Sequence, residues 1–134
     1  MTIDESKVFQ LNGDALTGPE VVAIAREHLP VTIGDDAKRA IAHSRAIVES
    51  RFKSGIPTYG INTGFGALST KVISKNECAA LQFNLLRSHA ASVGEPLEEE
   101  IVRGMMGLLA ASLCRGKSGI REVVVTTLVS MLNN

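Results

Sequence analysis

The sequence predicts a mainly α-helical chain with a short two-stranded β ribbon near its N-terminus. Three observations carry that expectation. Two patterns, Thr17 to Glu20 and Ser74 to Glu77, have the spacing of a capping box, in which a hydroxyl and a carboxylate serve the free amides of a helix start. Apolar residues recur three, four and seven positions apart in several separate stretches. Only two runs, residues 8–11 and 31–33, are short and β-prone, and they stop at the turn residues Asn12-Gly13 and Gly34-Asp35.

Between the two β-prone runs, Thr17-Gly18-Pro19-Glu20 opens a helix with proline near its first turn, and Val21, Ile24, Ala25 and His28 keep helical spacing up to Pro30. His28 falls in the last turn, where a cationic imidazole would meet the negative end of the helix dipole. Asp35 or Asp36 can cap a second helix on the ladder Ala37, Ile41, Val48 and Phe52, ending at Ser54-Gly55. His43 lies off that ladder on a charged face, so it is expected in solvent with no role. Pro57 favours extended structure in Ile56 and delivers the chain into a glycine-rich loop.

Ser74 opens a third helix, expected over residues 75–93 and ended by Gly94, with Cys78, Leu81, Leu85 and Ser88 or His89 on one inward face. The carboxylates Glu95, Glu98, Glu99 and Glu100 gather at the start of a fourth helix beside Pro96, where the dipole favours them, and lack the histidine spacing of a metal site. Ile101, Met105, Leu108, Leu109 and Ser112 continue that helix, and Met105 and Met106 are expected to be core or helix-packing methionines. Ser118 is expected to cap a last helix carrying Ile120, Val123, Val124, Thr127, Leu128 and Met131. That helix is apolar around much of its circumference, which favours burial against other helices, in this chain or another.

At 134 residues, with no repeat, low-complexity segment or linker, the chain is expected to form a single domain over 1–134. Lysine plus arginine equals aspartate plus glutamate at 14 each, so no charge field recruits nucleic acid. Cys78 and Cys114 fall inside helical patterns, which suits reduced, buried thiols better than a disulfide or zinc site. Residues 1–7 show no signal peptide, and no stretch approaches the ~20 apolar residues of a membrane span, so a soluble, cytoplasmic protein without membrane partner is expected.

The chemistry concentrates in Tyr59-Gly60-Ile61-Asn62-Thr63-Gly64-Phe65-Gly66, which holds the only tyrosine. Three glycines let backbone and ligand approach closely, while Asn62 and Thr63 can bond their own backbone and order the turn. Neither nucleotide fingerprint, G-x-G-x-x-G or G-x-x-x-x-G-K-[ST], is present in the loop. On composition alone a surface turn with a packed tyrosine competes equally with a site.

This stretch resembles the tyrosine loop of the aromatic amino acid ammonia-lyases. Leu81-Gln82-Phe83-Asn84-Leu85-Leu86-Arg87-Ser88-His89-Ala90 is similar to the helix that follows it in the histidine-specific members, and Arg115-Gly116-Lys117-Ser118-Gly119-Ile120-Arg121 is similar to a third family turn. The resemblance runs from about Thr17 to the last residue. It implies the helical N-terminal part of the ammonia-lyase (fumarase/aspartase-like) fold, with the tyrosine loop at 57–70.

The resemblance also implies roles. Tyr59 would be the catalytic base that removes the β-proton of the substrate. His89 and Ser88 would line the pocket for the substrate ring, where a Ser-His pair tracks histidine as substrate. Asn62, Thr63 and Gly64 would belong to the substrate-binding loop, holding it and placing backbone groups near the site, with Asn62 and Arg121 also as scaffold contacts. The family's electrophile, methylidene-imidazolone (MIO), forms from an Ala-Ser-Gly, and no Ala-Ser-Gly occurs in this sequence; no metal is implied.

The expectation is therefore the N-terminal part of a histidine ammonia-lyase acting on L-histidine to release urocanate and ammonia. It would be inactive alone and completed by an Ala-Ser-Gly-containing part in the same or a separate polypeptide, with homo-oligomers, homotetramers in the family, as the assembly. Two other readings stand beside it. An aromatic aminomutase shares loop and cofactor but returns ammonia to the β-carbon, and a helical interaction or regulatory module would keep the scaffold without the chemistry.

Overall fold

The computed structural model of the chain describes residues 8–66 and 69–134. Residues 1–7, which bear on the signal-peptide reading, and Ala67 and Leu68 of the tyrosine loop lie outside the described residues. The element order is β1 (Phe9–Leu11), α1 (Gly18–Arg26), β2 (Val31–Ile33), α2 (Asp35–Ser54), α3 (Lys75–His89), α4 (Glu99–Cys114) and α5 (Glu122–Asn133). The chain divides into two compact units, Met1–Ala46 with Leu97–Asn134, and Ile47–Pro96. Among the described residues no helix is long and apolar enough to cross a membrane.

In the first unit β1 and β2 pair in parallel, with Phe9 opposite Val31, Gln10 opposite Thr32 and Leu11 opposite Ile33. Parallel pairing needs a long crossover, and α1 supplies it. Helix α1 starts as its sequence requires: Glu20 accepts from the Thr17 amide at 2.6 Å and from the Thr17 hydroxyl at 2.8 Å. Those bonds, the backbone one first, hold the Glu20 carboxyl below its ordinary range. One edge of the ribbon is closed by a side chain. The Asn133 carboxamide accepts from Val31 N–H at 2.9 Å and donates to Val31 C=O at 2.8 Å.

The core joins Leu11, Ile24, Val31, Ile33, Ala37 and Ile41 to Ala110, Ala111, Cys114, Val125, Val129 and Leu132. Burial raises the pKa of the Cys114 thiol. The face that α4 turns inward is not the one expected from its large apolar residues. It is Arg103, Gly104, Gly107, Ala110, Ala111 and Cys114, while Ile101, Met105, Leu108 and Leu109 are exposed, Met105 by 58%. Small residues win the inner face because α1 sits close against it. A Cβ on Gly107 would stand 3.1 Å from Ile24 Cγ2, and one on Gly104 would stand 3.7 Å from Ala25 Cβ. Arg103 is buried there, donating to Ile24 C=O and at 2.9 Å to Leu132 C=O, and so ties the ends of α1 and α5 together.

Helix α5 is apolar on more than one side, as expected, and Leu128 and, just before the helix, Ile120 pack against the core. Val125, Val129 and Leu132 are buried, whereas Val123, Val124 and Met131 are exposed. Its N-cap is Arg121, not Ser118. Helix α2 begins at Asp35, whose preceding Gly34 carbonyl accepts from Lys38 N–H at 3.0 Å, so neither aspartate stands outside the helix as a cap. Asp35 and Asp36 lie in the first turn and pair with Lys38 and Arg39. His43 is exposed, as expected.

Helix α1 ends at Arg26, so His28 lies past the last turn rather than in it, at φ +54°. A side chain in that region costs about 1–2 kcal/mol, and glycine is the usual occupant after a helix end. The exposed pairing of His28 Nε2 with Glu99 at 3.8 Å offsets little of this. His28→Gly should therefore stabilise the fold by about 0.5–1 kcal/mol after glycine's own entropic cost. Chemical denaturation reads this directly; a lower midpoint in the variant would contradict it.

Candidate active site

The second unit, Ile47–Pro96, contains both motifs expected to carry chemistry. The chain leaves α2 and turns sharply at 58–62. Ile61 N–H and Asn62 N–H both donate to Thr58 C=O, at 3.0 and 3.2 Å, and Gly60 takes φ +74°. A positive φ at the third turn position is one that glycine adopts without penalty, which leaves Tyr59 at the apex of the turn. Tyr59 is 65% exposed, and its ring meets Phe65 edge to face at a centroid distance of 5.9 Å and 78°. Aromatic pairs favour that geometry.

Beyond the turn the chain pairs with the segment that leads into α3. Thr63 bridges Val72 in antiparallel fashion, Gly64 N–H donates to Lys71 C=O at 3.1 Å, and Ile73 N–H donates to Asn62 C=O at 2.9 Å. Asn62 and Thr63 are buried, at 4% and 3% exposure. Their side chains are used inside the loop. The Asn62 carboxamide accepts from Thr58 N–H at 2.7 Å and donates to Ile56 C=O at 3.0 Å, and the Thr63 hydroxyl donates to Gly64 C=O at 3.2 Å.

Helix α3 begins where its sequence says, at N-cap Ser74, whose hydroxyl donates to Glu77. It ends at His89 rather than running to residue 93, and Gly94 plays no part in ending it. The local cause is Leu85 C=O, which takes the Ser88 hydroxyl at 2.9 Å and His89 Nδ1 at 2.8 Å, so side chains serve the last turn. Cys78, Leu81 and Leu85 are half-buried, as the apolar stripe requires, but His89 does not point inward with them. Ser88 and His89 are both exposed, with Ser88 Oγ 3.1 Å from His89 Nδ1.

A carbonyl only accepts, so His89 Nδ1 carries the proton toward Leu85, and Nε2 of the neutral ring keeps a free lone pair. Among the described residues no hydrogen bond or ring contact joins the tyrosine loop to Ser88 or His89. Arg121, at the start of α5, belongs to the other unit. What sequence reasoning missed was Phe65 as the partner of Tyr59; an aromatic six residues on in a glycine loop was the available signal.

A family model described as aromatic amino acid lyase matches residues 16–134. A histidine ammonia-lyase from Caldanaerobacter subterraneus subsp. tengcongensis is 47% identical over 127 residues, 95% of this chain and 25% of that enzyme. Histidine ammonia-lyase from Trypanosoma cruzi superposes with a TM-score of 0.84 at 36% identity, over 94% of this chain and 25% of that one. Tyrosine aminomutase from Streptomyces globisporus superposes with a TM-score of 0.87 at 30% identity, over 94% of this chain and 24% of that one. The chain thus spans about a quarter of the length of the relatives it matches. On the family match across nearly all of its length, and on the helical fold that these enzymes share with it, the chain belongs to the aromatic amino acid lyase family.

Proposed function

We propose that these residues supply the base and the ring contacts of a histidine ammonia-lyase, which eliminates ammonia from L-histidine to give urocanate. The observation that carries the reading is the exposed Ser88–His89 pair, on which His89 Nε2 is left as an acceptor. An imidazole ring brings one N–H to donate, which the phenyl ring of phenylalanine does not. The fold is common to lyases and aminomutases; the Ser88–His89 pair speaks against an aminomutase with a phenylalanine ring, and the product decides between the two reactions.

In this reading Tyr59 takes the β-proton of the substrate. An ordinary phenol titrates near pKa ~10, so a tyrosine base at neutral pH needs cationic or hydrogen-bond-donating neighbours, contributed around the exposed phenol. Thr63, Gly64 and Asn62 hold the loop, and the Phe65 edge limits where the Tyr59 ring can swing. The β-proton is weakly acidic, and the electrophilic assistance its removal calls for comes in this family from methylidene-imidazolone. This sequence has no Ala-Ser-Gly to form that group. The exposed Tyr59 and His89 suit a half-site, open to a polypeptide that carries it.

The apolar residues exposed on α4 and α5 support assembly into a larger homo-oligomer, a tetramer by family precedent. The test is complementation. The chain alone should give no urocanate from L-histidine. Mixed with a polypeptide bearing Ala-Ser-Gly, it should give urocanate, read by its ultraviolet absorbance. Urocanate from the chain alone would refute the half-site. A β-amino acid product would replace the lyase with an aminomutase, and a complex that forms neither product would leave the interaction module.

A further inference from the structure

We propose that Asn62 is the positioning residue for Tyr59: the two ends of its carboxamide bridge Thr58 and Ile56 and thereby fix the turn that presents the phenol. This rests on the reading of Tyr59 as the base. The bridge spans the residues just before Tyr59, with Oδ1 accepting from Thr58 N–H at 2.7 Å and Nδ2 donating to Ile56 C=O at 3.0 Å. The main chain of Asn62 faces both ways as well. Its N–H closes onto Thr58 C=O at 3.2 Å, and its C=O takes Ile73 N–H at 2.9 Å. One residue therefore ties the segment entering the turn to the segment that leads into α3.

The chemistry selects asparagine. A short side chain must accept from one backbone group and donate to another, and it must do so at 4% exposure, where an unmet polar group is costly. Aspartate keeps the shape and the acceptor but, when ionised, has no hydrogen to give Ile56. Leucine has neither function. Among the described residues the groups bonded to Asn62 are main-chain groups of Ile56, Thr58 and Ile73, and no titratable side chain joins the bridge.

Asn62→Asp makes the bridge a function of pH. A protonated carboxyl has one donor and one acceptor, as the carboxamide does, so acid should restore what ionisation removes. The introduced carboxyl titrates ordinarily near ~3.9, and burial moves it upward, which brings the restoration into an accessible range. The readout needs no catalysis, because Tyr59 is the only tyrosine and the chain has no tryptophan. Near-ultraviolet circular dichroism and fluorescence anisotropy therefore report this one ring.

At neutral pH the Asn62→Asp chain should lose more than half of the tyrosine dichroic band and show lower anisotropy. Both should return on acidification, while wild type shows no such recovery over the same range. If the variant does not fold at neutral pH, acid should restore its far-ultraviolet helical spectrum along with the tyrosine signals. Wild-type tyrosine signals in the variant at neutral pH, or signals that acid does not restore, would overturn the proposal. Absence of lyase turnover in the complemented wild type would instead refute the functional reading and leave these spectra unaffected.

Discussion

In the complemented enzyme, Tyr59→Phe should lower kcat for L-histidine by roughly 10²–10⁴, the usual contribution of a positioned acid or base. The substitution is clean because it removes one oxygen and keeps the ring. The edge-to-face contact with Phe65, at 5.9 Å, survives, and the turn held by Gly60 and Asn62 does not depend on the hydroxyl. KM should change little, since ring recognition is assigned to Ser88 and His89. A loss confined to kcat marks an interaction made in the transition state. Near wild-type turnover in the variant would move the base to another residue.

Gly116→Ala should destabilise the fold by about 2–5 kcal/mol, combining overpacking of roughly 1–3 kcal/mol with about 1–2 kcal/mol for a side chain at positive φ. Gly116 sits at φ +63° just past α4. A Cβ there would lie 2.5 Å from both the carbonyl carbon and the Cβ of Ala40, inside α2. Backbone within a helix cannot retreat as a flexible side chain can. The turn that follows is fastened to the same helix, through Gly119 N–H to the Ser44 hydroxyl at 3.2 Å and Arg45 to Gly119 C=O at 3.3 Å, so displacement of one breaks the other. Melting should fall by on the order of 10 °C. Gly18→Ala is the control, because a Cβ there meets nothing within 4 Å; equal losses in both would contradict the steric explanation.

Local chemistry was legible in the sequence. The capping residues at Thr17 and Ser74 and the ordered glycine turn around Tyr59 follow from bonds among residues close in the chain, and the two β-prone runs from their local composition. What the sequence hid depends on distance between elements. Large apolar side chains on α4 suggest the inner face, yet Gly104 and Gly107 occupy it because α1 packs too closely for anything larger. His89 followed an apolar ladder and was expected inside. Its ring instead turns back to the Leu85 carbonyl at the end of its helix, a choice that periodicity does not encode.

The Asn133 carboxamide, bonded to both backbone groups of Val31, has a consequence for solubility. A two-stranded ribbon offers unpaired amides and carbonyls along its margins, and such margins recruit extended segments from other molecules. Here a single side chain imitates the next strand at Val31. Misassembly by strand addition is thereby blocked at that position, and molecules released from the ribosome in close succession are less prone to template one another there.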